Sequence, residues 1–135
     1  MSAPSVYPTL GYIDAKAEID WLTSAFGFTA TLVVPGEGDA IVHAELRTGN
    51  GMVMLSTLRE APAGPARRAP QEFRVADHGV YVVVGDVDAH HARAVAAGAE
   101  IVMPPTDQEY GSRDYAAQDP EGHLWSFGTY QPEEG

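Results

Sequence analysis

The pattern of hydrophobic and polar residues occurs twice in this chain, about 71 residues apart. Residues 9–28 (TLGYIDAKAEIDWLTSAFGF) and 80–101 (VYVVVGDVDAHHARAVAAGAEI) each run from an alternating apolar stretch through an Asp and an Ala-rich segment to a Gly. The corresponding positions are Asp14 and Asp86, Gly27 and Gly98, and two Gly-led apolar runs that start at Gly51 and Gly122. A period this long indicates one module duplicated once, not a solenoid of short repeats.

The first copy predicts the element order β-α-β-β-β. A strand over 6–13 leads to Asp14, a helix N-cap whose carboxylate accepts backbone amide hydrogens. Gly27 supplies the left-handed position that ends the helix. The helix face is apolar at Ala15, Ile19, Leu22 and Phe26. Further strands are predicted over 29–34, 40–47 and 52–56, with turns at 35–39 and 48–51.

The second copy predicts the same order. A strand over 79–84 precedes the N-cap Asp86, a helix extends to Ala97, and Gly98 follows it. The remaining strands are predicted over 100–103, 115–118 and 123–130, with a loop over 104–113. We expect one domain (1–135) made of a first module (5–57), a Pro/Ala/Arg-rich linker (58–74) and a second module (77–131).

Composition narrows the classes of function. The chain of 135 residues is 44% hydrophobic and 20% charged, as expected of a globular protein, and without cysteine it has no disulfide and no thiolate metal site. Its net charge of −11 argues against a nucleic-acid partner. That charge serves solubility or attracts a cationic ligand. We find no signal peptide or membrane-spanning run, and therefore expect a cytoplasmic protein without a membrane partner.

Four segments resemble the vicinal oxygen chelate superfamily, which includes glyoxalase I, extradiol dioxygenases and bleomycin-resistance proteins. They read DAKAEIDWLTSAFGF, HAELRTGNGMVMLS, DVDAHHARAVAAGA and RDYAAQDPEGHLWSFGTY, and the combination is most similar to the glyoxalase-like subgroup. The resemblance implies an α+β fold. In this fold two βαβββ modules (paired ferredoxin-like motifs) place curved mixed sheets around a concave pocket. It also implies a homodimer that binds a small molecule.

The alternation along each strand predicts which side chains face that pocket. Apolar positions such as Leu10, Tyr12 and Trp125 belong to the core, and their neighbours face the ligand. The predicted ligand-binding residues are Tyr7, Thr9, His43, Glu45, Met52, Met54, Tyr81 and Ser126. Tyr110 and Tyr115 are further candidates for aromatic walls.

Metal-dependent members of the superfamily hold their ion with His, Gln or Glu at four concave positions. The resemblance places these positions at Tyr7, Met54, Gly79 and Ser126, none of which is a usual ligand for a divalent ion. A rearranged set of His43, His78 and His123 with Glu45 is the alternative, but His78 and His123 alternate away from the pocket. We therefore predict no metal and no cofactor.

His43 and Glu45 are the candidate catalytic residues. Neighbours on one face of a strand are about 7 Å apart, so the pair could act as acid and base on one ligand. Equally, it could be a hydrogen-bonded pair without chemistry. In the second helix, we expect His90 to be solvated and His91 to be packed.

Three functions follow. The first is a metal-independent binding protein for a cationic or aromatic compound, as the resemblance to the acidic, dimeric bleomycin-resistance proteins implies. The second is a glyoxalase-like lyase, isomerase or dioxygenase with an atypical metal set or His43/Glu45 acid–base chemistry. The third is a protein that has lost its ligand function and serves partner interactions.

Overall fold

The computed structural model describes residues 6–58 and 79–132. The chain divides into two compact units, unit 1 (Met1–Arg74) and unit 2 (Val75–Gly135). The described residues form two helices and eight strands in the order predicted from the repeat. These elements are β1 (Thr9–Tyr12), α1 (Ala15–Phe26), β2 (Thr29–Pro35), β3 (Ile41–Arg47), β4 (Met52–Thr57), β5 (Gly79–Val83), α2 (Val87–Ala96), β6 (Glu100–Asp107), β7 (Arg113–Gln118) and β8 (Leu124–Gly128).

Unit 1 has a four-stranded mixed sheet in the order β1-β4-β3-β2. β1 pairs with β4 in parallel, and the other two pairings are antiparallel. The sheet packs against α1, which begins at Asp14, where the carboxylate accepts the Ala17 amide at 3.1 Å. The helix ends at Gly27, whose φ of 75° is the left-handed conformation that glycine adopts without strain.

The core of unit 1 lies between α1 and one face of its sheet. All four residues of the predicted apolar helix face are buried, and so are the sheet positions predicted to oppose them. The buried residues at these predicted positions are Leu10, Tyr12, Ala44, Leu46, Val53 and Leu55, and Ile41 at the start of β3 is buried as well. The alternation therefore predicted correctly which side chains of these strands face the core in this unit. An error of one residue would have exchanged the buried and exposed sets.

Unit 2 repeats this architecture with the sheet order β5-β8-β7-β6. Asp86 caps α2 through the Ala89 amide at 3.0 Å. Trp125, Phe127 and Tyr115 are fully buried beneath the helix, and Tyr115 stacks on Phe127 with ring centroids 5.1 Å apart. The predicted α+β fold with paired βαβββ modules is thus confirmed in both units.

The predicted loop over 104–113 was partly wrong. β6 continues to Asp107, although Pro104 and Pro105 lie within it, and β7 begins at Arg113. β6 is an edge strand, where a proline without an amide hydrogen does not interrupt the pairing, and the register shifts between Met103 and Thr106.

Neither of the helices in the described residues is long and apolar enough to cross a membrane.

Candidate ligand-binding faces

Each sheet has one face against its helix and one face away from it, here called the open face. On the open face of unit 1, strand register aligns three of the predicted ligand-binding residues in one row. Thr9 of β1 pairs with Met54 of β4, and Met54 pairs with Glu45 of β3. Directly paired residues project to the same side of a sheet, so these side chains are neighbours. The edge strand extends the row with Leu32, which pairs with Glu45.

His43 and Glu45 are in direct contact on this face. His43 Nε2 lies 2.8 Å from Glu45 Oε2, and the side chains are 36% and 27% exposed. The two groups are thus hydrogen-bonded and still accessible. The arrangement can move a proton between imidazole and carboxylate, and it can also present a carboxylate oxygen to a ligand.

Two other predicted residues of unit 1 lie near this row. Met52 lies two residues before Met54 on β4, is half-buried and pairs with Arg47. Tyr7 is also half-buried and lies two residues before β1. The open face of unit 1 therefore combines two thioethers with a small polar cluster.

The open face of unit 2 holds the remaining predicted residues. Tyr81 of β5 pairs with Ser126 of β8, and Ser126 pairs with Ala116 of β7. The next row contains Asp114, which pairs with Gly128. Sequence reasoning missed Asp114, because the strand predicted over 115–118 began after it and Tyr115 was expected to face the pocket.

Two further expectations fail in unit 2. Tyr115 is no pocket wall, because it is fully buried on the helix side, and this burial raises the pKa of its phenol. His90 is not solvated: its Nδ1 lies 2.5 Å from the Tyr115 hydroxyl, and its ring lies 4.2 Å from that of Phe127. His91 packs edge-on against Tyr115 as expected, with centroids 5.2 Å apart.

The residues at the superfamily's metal positions do not fit a metal ion. Met54 and Ser126 lie on open faces, but a Cβ added at Gly79 would approach the Leu124 carbonyl oxygen to 3.1 Å, which leaves little room for a ligating side chain. In residues 6–58 and 79–132, no three His, Asp or Glu side chains cluster so as to hold a metal. His78 of the alternative set lies outside these ranges.

A cavity of about 640 Å³ lies at one end of β3 and β4, beside the turn after β2. Its lining includes Gly36, Val42, Ser56 and Leu58 but none of the predicted ligand-binding residues. Because none of those residues lines it, the cavity gives no support to the predicted positions.

Comparison with known proteins agrees with the resemblance seen in the sequence. The family model described as "Glyoxalase/Bleomycin resistance protein/Dioxygenase superfamily" matches residues 6–127. An uncharacterized protein of Mycobacterium bovis is 34% identical over 125 residues, which cover 93% of this chain and 82% of that protein.

Two further similar proteins come from Streptomyces and Micromonospora. The anthracycline biosynthesis protein DnrV of Streptomyces peucetius is 31% identical over 129 residues, covering 90% of this chain and 46% of that protein. TioX from Micromonospora sp. ML1, whose crystal structure is known, is 36% identical in sequence to this chain. Its structure matches with a TM-score of 0.73, over 98% of this chain and all of that one.

Proposed function

The chain belongs to the glyoxalase/bleomycin resistance protein/dioxygenase superfamily, and on that premise we propose that it is a metal-independent binding protein for a small organic molecule. The observation that carries the proposal is the open face of unit 1. There, Thr9, Met54 and Glu45 form a continuous row across three hydrogen-bonded strands.

The chemistry of this row suits a ligand that is apolar in one part and cationic or hydrogen-bonding in another. Met52 and Met54 provide flexible, polarisable surface that adapts to flat or irregular molecules. Glu45 provides a half-buried carboxylate, and the net charge of −11 favours the approach of a cation. The similarity to an anthracycline biosynthesis protein supports an aromatic ligand.

Metal independence is part of this proposal and rests on the residues at the metal positions. Tyr7, Met54, Gly79 and Ser126 lack the imidazole and carboxylate groups that bind divalent ions. Elemental analysis of the purified protein tests this point. We expect less than stoichiometric zinc, iron, manganese or nickel, and a stoichiometric amount of any of them would overturn it.

A thermal-shift screen tests ligand binding. Cationic and aromatic compounds are added to chelator-treated protein, and we expect at least one to raise the melting temperature with saturation, as ligand binding to the native state requires. Glu45→Gln should weaken that response, whereas Glu100→Gln, the same change on the exposed strand β6 of unit 2, should not. Absence of any response would contradict the proposal.

A second function is favoured by the 2.8 Å contact between His43 and Glu45. Such a pair can relay a proton to or from a ligand that touches the imidazole. The compound found in the screen is therefore incubated with the protein and analysed by mass spectrometry. Recovery of unchanged compound supports binding alone, whereas a product that His43→Gln no longer forms supports acid–base catalysis.

We also propose that the protein is a cytoplasmic homodimer. Leu32, Val33 and Val34 of the edge strand β2 are all exposed in unit 1, and a second copy would bury them. Light scattering tests the assembly: we expect the mass of a dimer, and the mass of a monomer at micromolar concentration would contradict it.

A further inference from the structure

A buried carboxylate lies among tyrosines on the open face of unit 2. Asp114 is only 8% exposed. Its Oδ1 accepts a hydrogen bond from the Ser112 hydroxyl, and its Oδ2 accepts one from the Tyr110 hydroxyl at 2.9 Å. Gly128 lies directly opposite on β8, and an added Cβ there would collide with the Asp114 carboxylate. The absence of a side chain at position 128 therefore makes room for this group.

The partners of Asp114 are unusual for a buried charge. Buried carboxylates in proteins are normally paired with a basic group. The adjacent Arg113 turns instead to Asp88 and Asp107, at 2.9 and 3.1 Å. In residues 6–58 and 79–132, no basic side chain lies within ion-pair distance of Asp114. Its negative charge is thus solvated by hydroxyl groups without being neutralised.

Three partly exposed tyrosines surround this carboxylate. Tyr81, Tyr110 and Tyr130 are 39%, 63% and 47% exposed. Tyr81 donates its hydroxyl to the Tyr130 carbonyl at 2.7 Å, and the rings of Tyr110 and Tyr130 meet edge to face with centroids 5.7 Å apart. The Tyr130 amide donates to Ser112 Oγ at 3.0 Å, so the cluster is held together by hydrogen bonds on several strands and loops.

The electrostatics of the cluster favour a cation. The hydrogen bond to Asp114 raises the pKa of Tyr110, and burial, assisted by the Asp114 charge, raises that of Tyr81. Both phenols therefore stay neutral and keep their electron-rich ring faces. Aromatic rings beside an anionic group attract organic ammonium ions through cation–π and Coulomb interactions.

We propose that Asp114 and the tyrosines Tyr81, Tyr110 and Tyr130 form a binding site for an organic ammonium group. This inference goes beyond the proposed function, which assigns the cationic part of its ligand to Glu45 in unit 1. Its residues are distinct from the Thr9–Met54–Glu45 row, and only Tyr81 belongs to the set predicted from sequence.

Choline and its uncharged carbon isostere, 3,3-dimethylbutan-1-ol, are suitable probes because they differ mainly in charge. Binding is followed by the broadening of the probe's methyl signal in proton NMR spectra. We expect saturable binding of choline and about tenfold weaker binding of the isostere, the ratio that a cation–π interaction of ordinary strength gives. Equal binding of the two probes, or no binding of choline at millimolar concentration, would overturn the inference.

Variants locate the site. Asp114→Asn should weaken choline binding about tenfold, whereas Glu100→Gln, an equal change of charge on the same sheet, should leave it unchanged. Because Asp114→Asn could also disturb folding, Tyr110→Leu provides a second test at an exposed position and should weaken binding several-fold. Unchanged affinity in both folded variants would refute the assignment. If choline fails while the thermal-shift screen yields a ligand, this inference fails and the proposed function survives.

Discussion

Replacing Asp119 with alanine should destabilise unit 2 more than any change at a helix cap. Asp119 is buried at the turn that precedes β8, and its two carboxylate oxygens accept three hydrogen bonds. Oδ1 accepts the amides of Glu121 and His123, each at 3.1 Å, and Oδ2 accepts Trp125 Nε1 at 3.0 Å. One side chain thereby fixes the turn and the orientation of the largest core residue.

The magnitude follows from the donors left behind. The Trp125 indole N–H is fully buried, so loss of its acceptor costs about 1–3 kcal/mol, and loss of the two amide contacts adds a similar amount. We therefore expect Asp119→Ala to lower the free energy of unfolding by about 2–6 kcal/mol. Asp119→Asn should cost less, about 1–3 kcal/mol, because an amide can replace only some of the acceptors.

Urea denaturation followed by circular dichroism measures both variants. A double-mutant cycle with Trp125→Phe separates the indole contact from the backbone contacts, and we expect a coupling energy of about 1–2 kcal/mol. A loss below about 1 kcal/mol for Asp119→Ala, or additive effects in the cycle, would refute this account of the turn.

Three further predictions concern unit 2. Asp86→Ala removes the cap of α2 and should cost about 1 kcal/mol in urea denaturation; no change would show that the Ala89 contact is dispensable. Burial raises the pKa of Tyr115 in the folded protein. The buried neutral phenol therefore makes its full contribution to stability below the unfolded-state pKa of about 10, and this contribution is lost as pH rises above that value. Stability should therefore fall more gently with alkaline pH in Tyr115→Phe, and identical slopes would contradict this reasoning. Gly128→Ala should lower the free energy of unfolding by about 1–3 kcal/mol, because the added Cβ would lie 2.6 Å from the Tyr81 hydroxyl and would also collide with Asp114. A melting temperature equal to that of the parent protein would contradict this, since it would mean that these side chains move aside at little cost.

Local physical rules were sufficient to predict most of the fold. Asp14 and Asp86 cap their helices because the same short-range geometry operates in both copies. The placement of Thr9, Met54 and Glu45 on the open face was predictable because side chains alternate strictly along a strand. The pairing of the strands, which depends on contacts distant in sequence, had to come from the structure.

The misses also have physical causes. The prolines in β6 argued for a loop, but an edge strand does not need their missing amide hydrogens. The environment of His90 depends on Tyr115, 25 residues away, so no local pattern showed it. Asp114 was overlooked because its importance arises from Tyr81, Tyr110 and Gly128, which only the folded sheet brings together.

The central claim is that a small organic molecule binds to the open face of unit 1 without metal, and methionine methyl NMR tests it most directly. Met52 and Met54 lie on the open face of unit 1, and substitution of each by Leu assigns its carbon-13-labelled methyl signal. In chelator-treated protein titrated with a compound from the thermal-shift screen, we predict saturable shifts of the Met54 signal, with an affinity that matches the thermal response. Saturable binding that leaves both the Met52 and Met54 signals in place, or binding that requires added metal, would contradict the account.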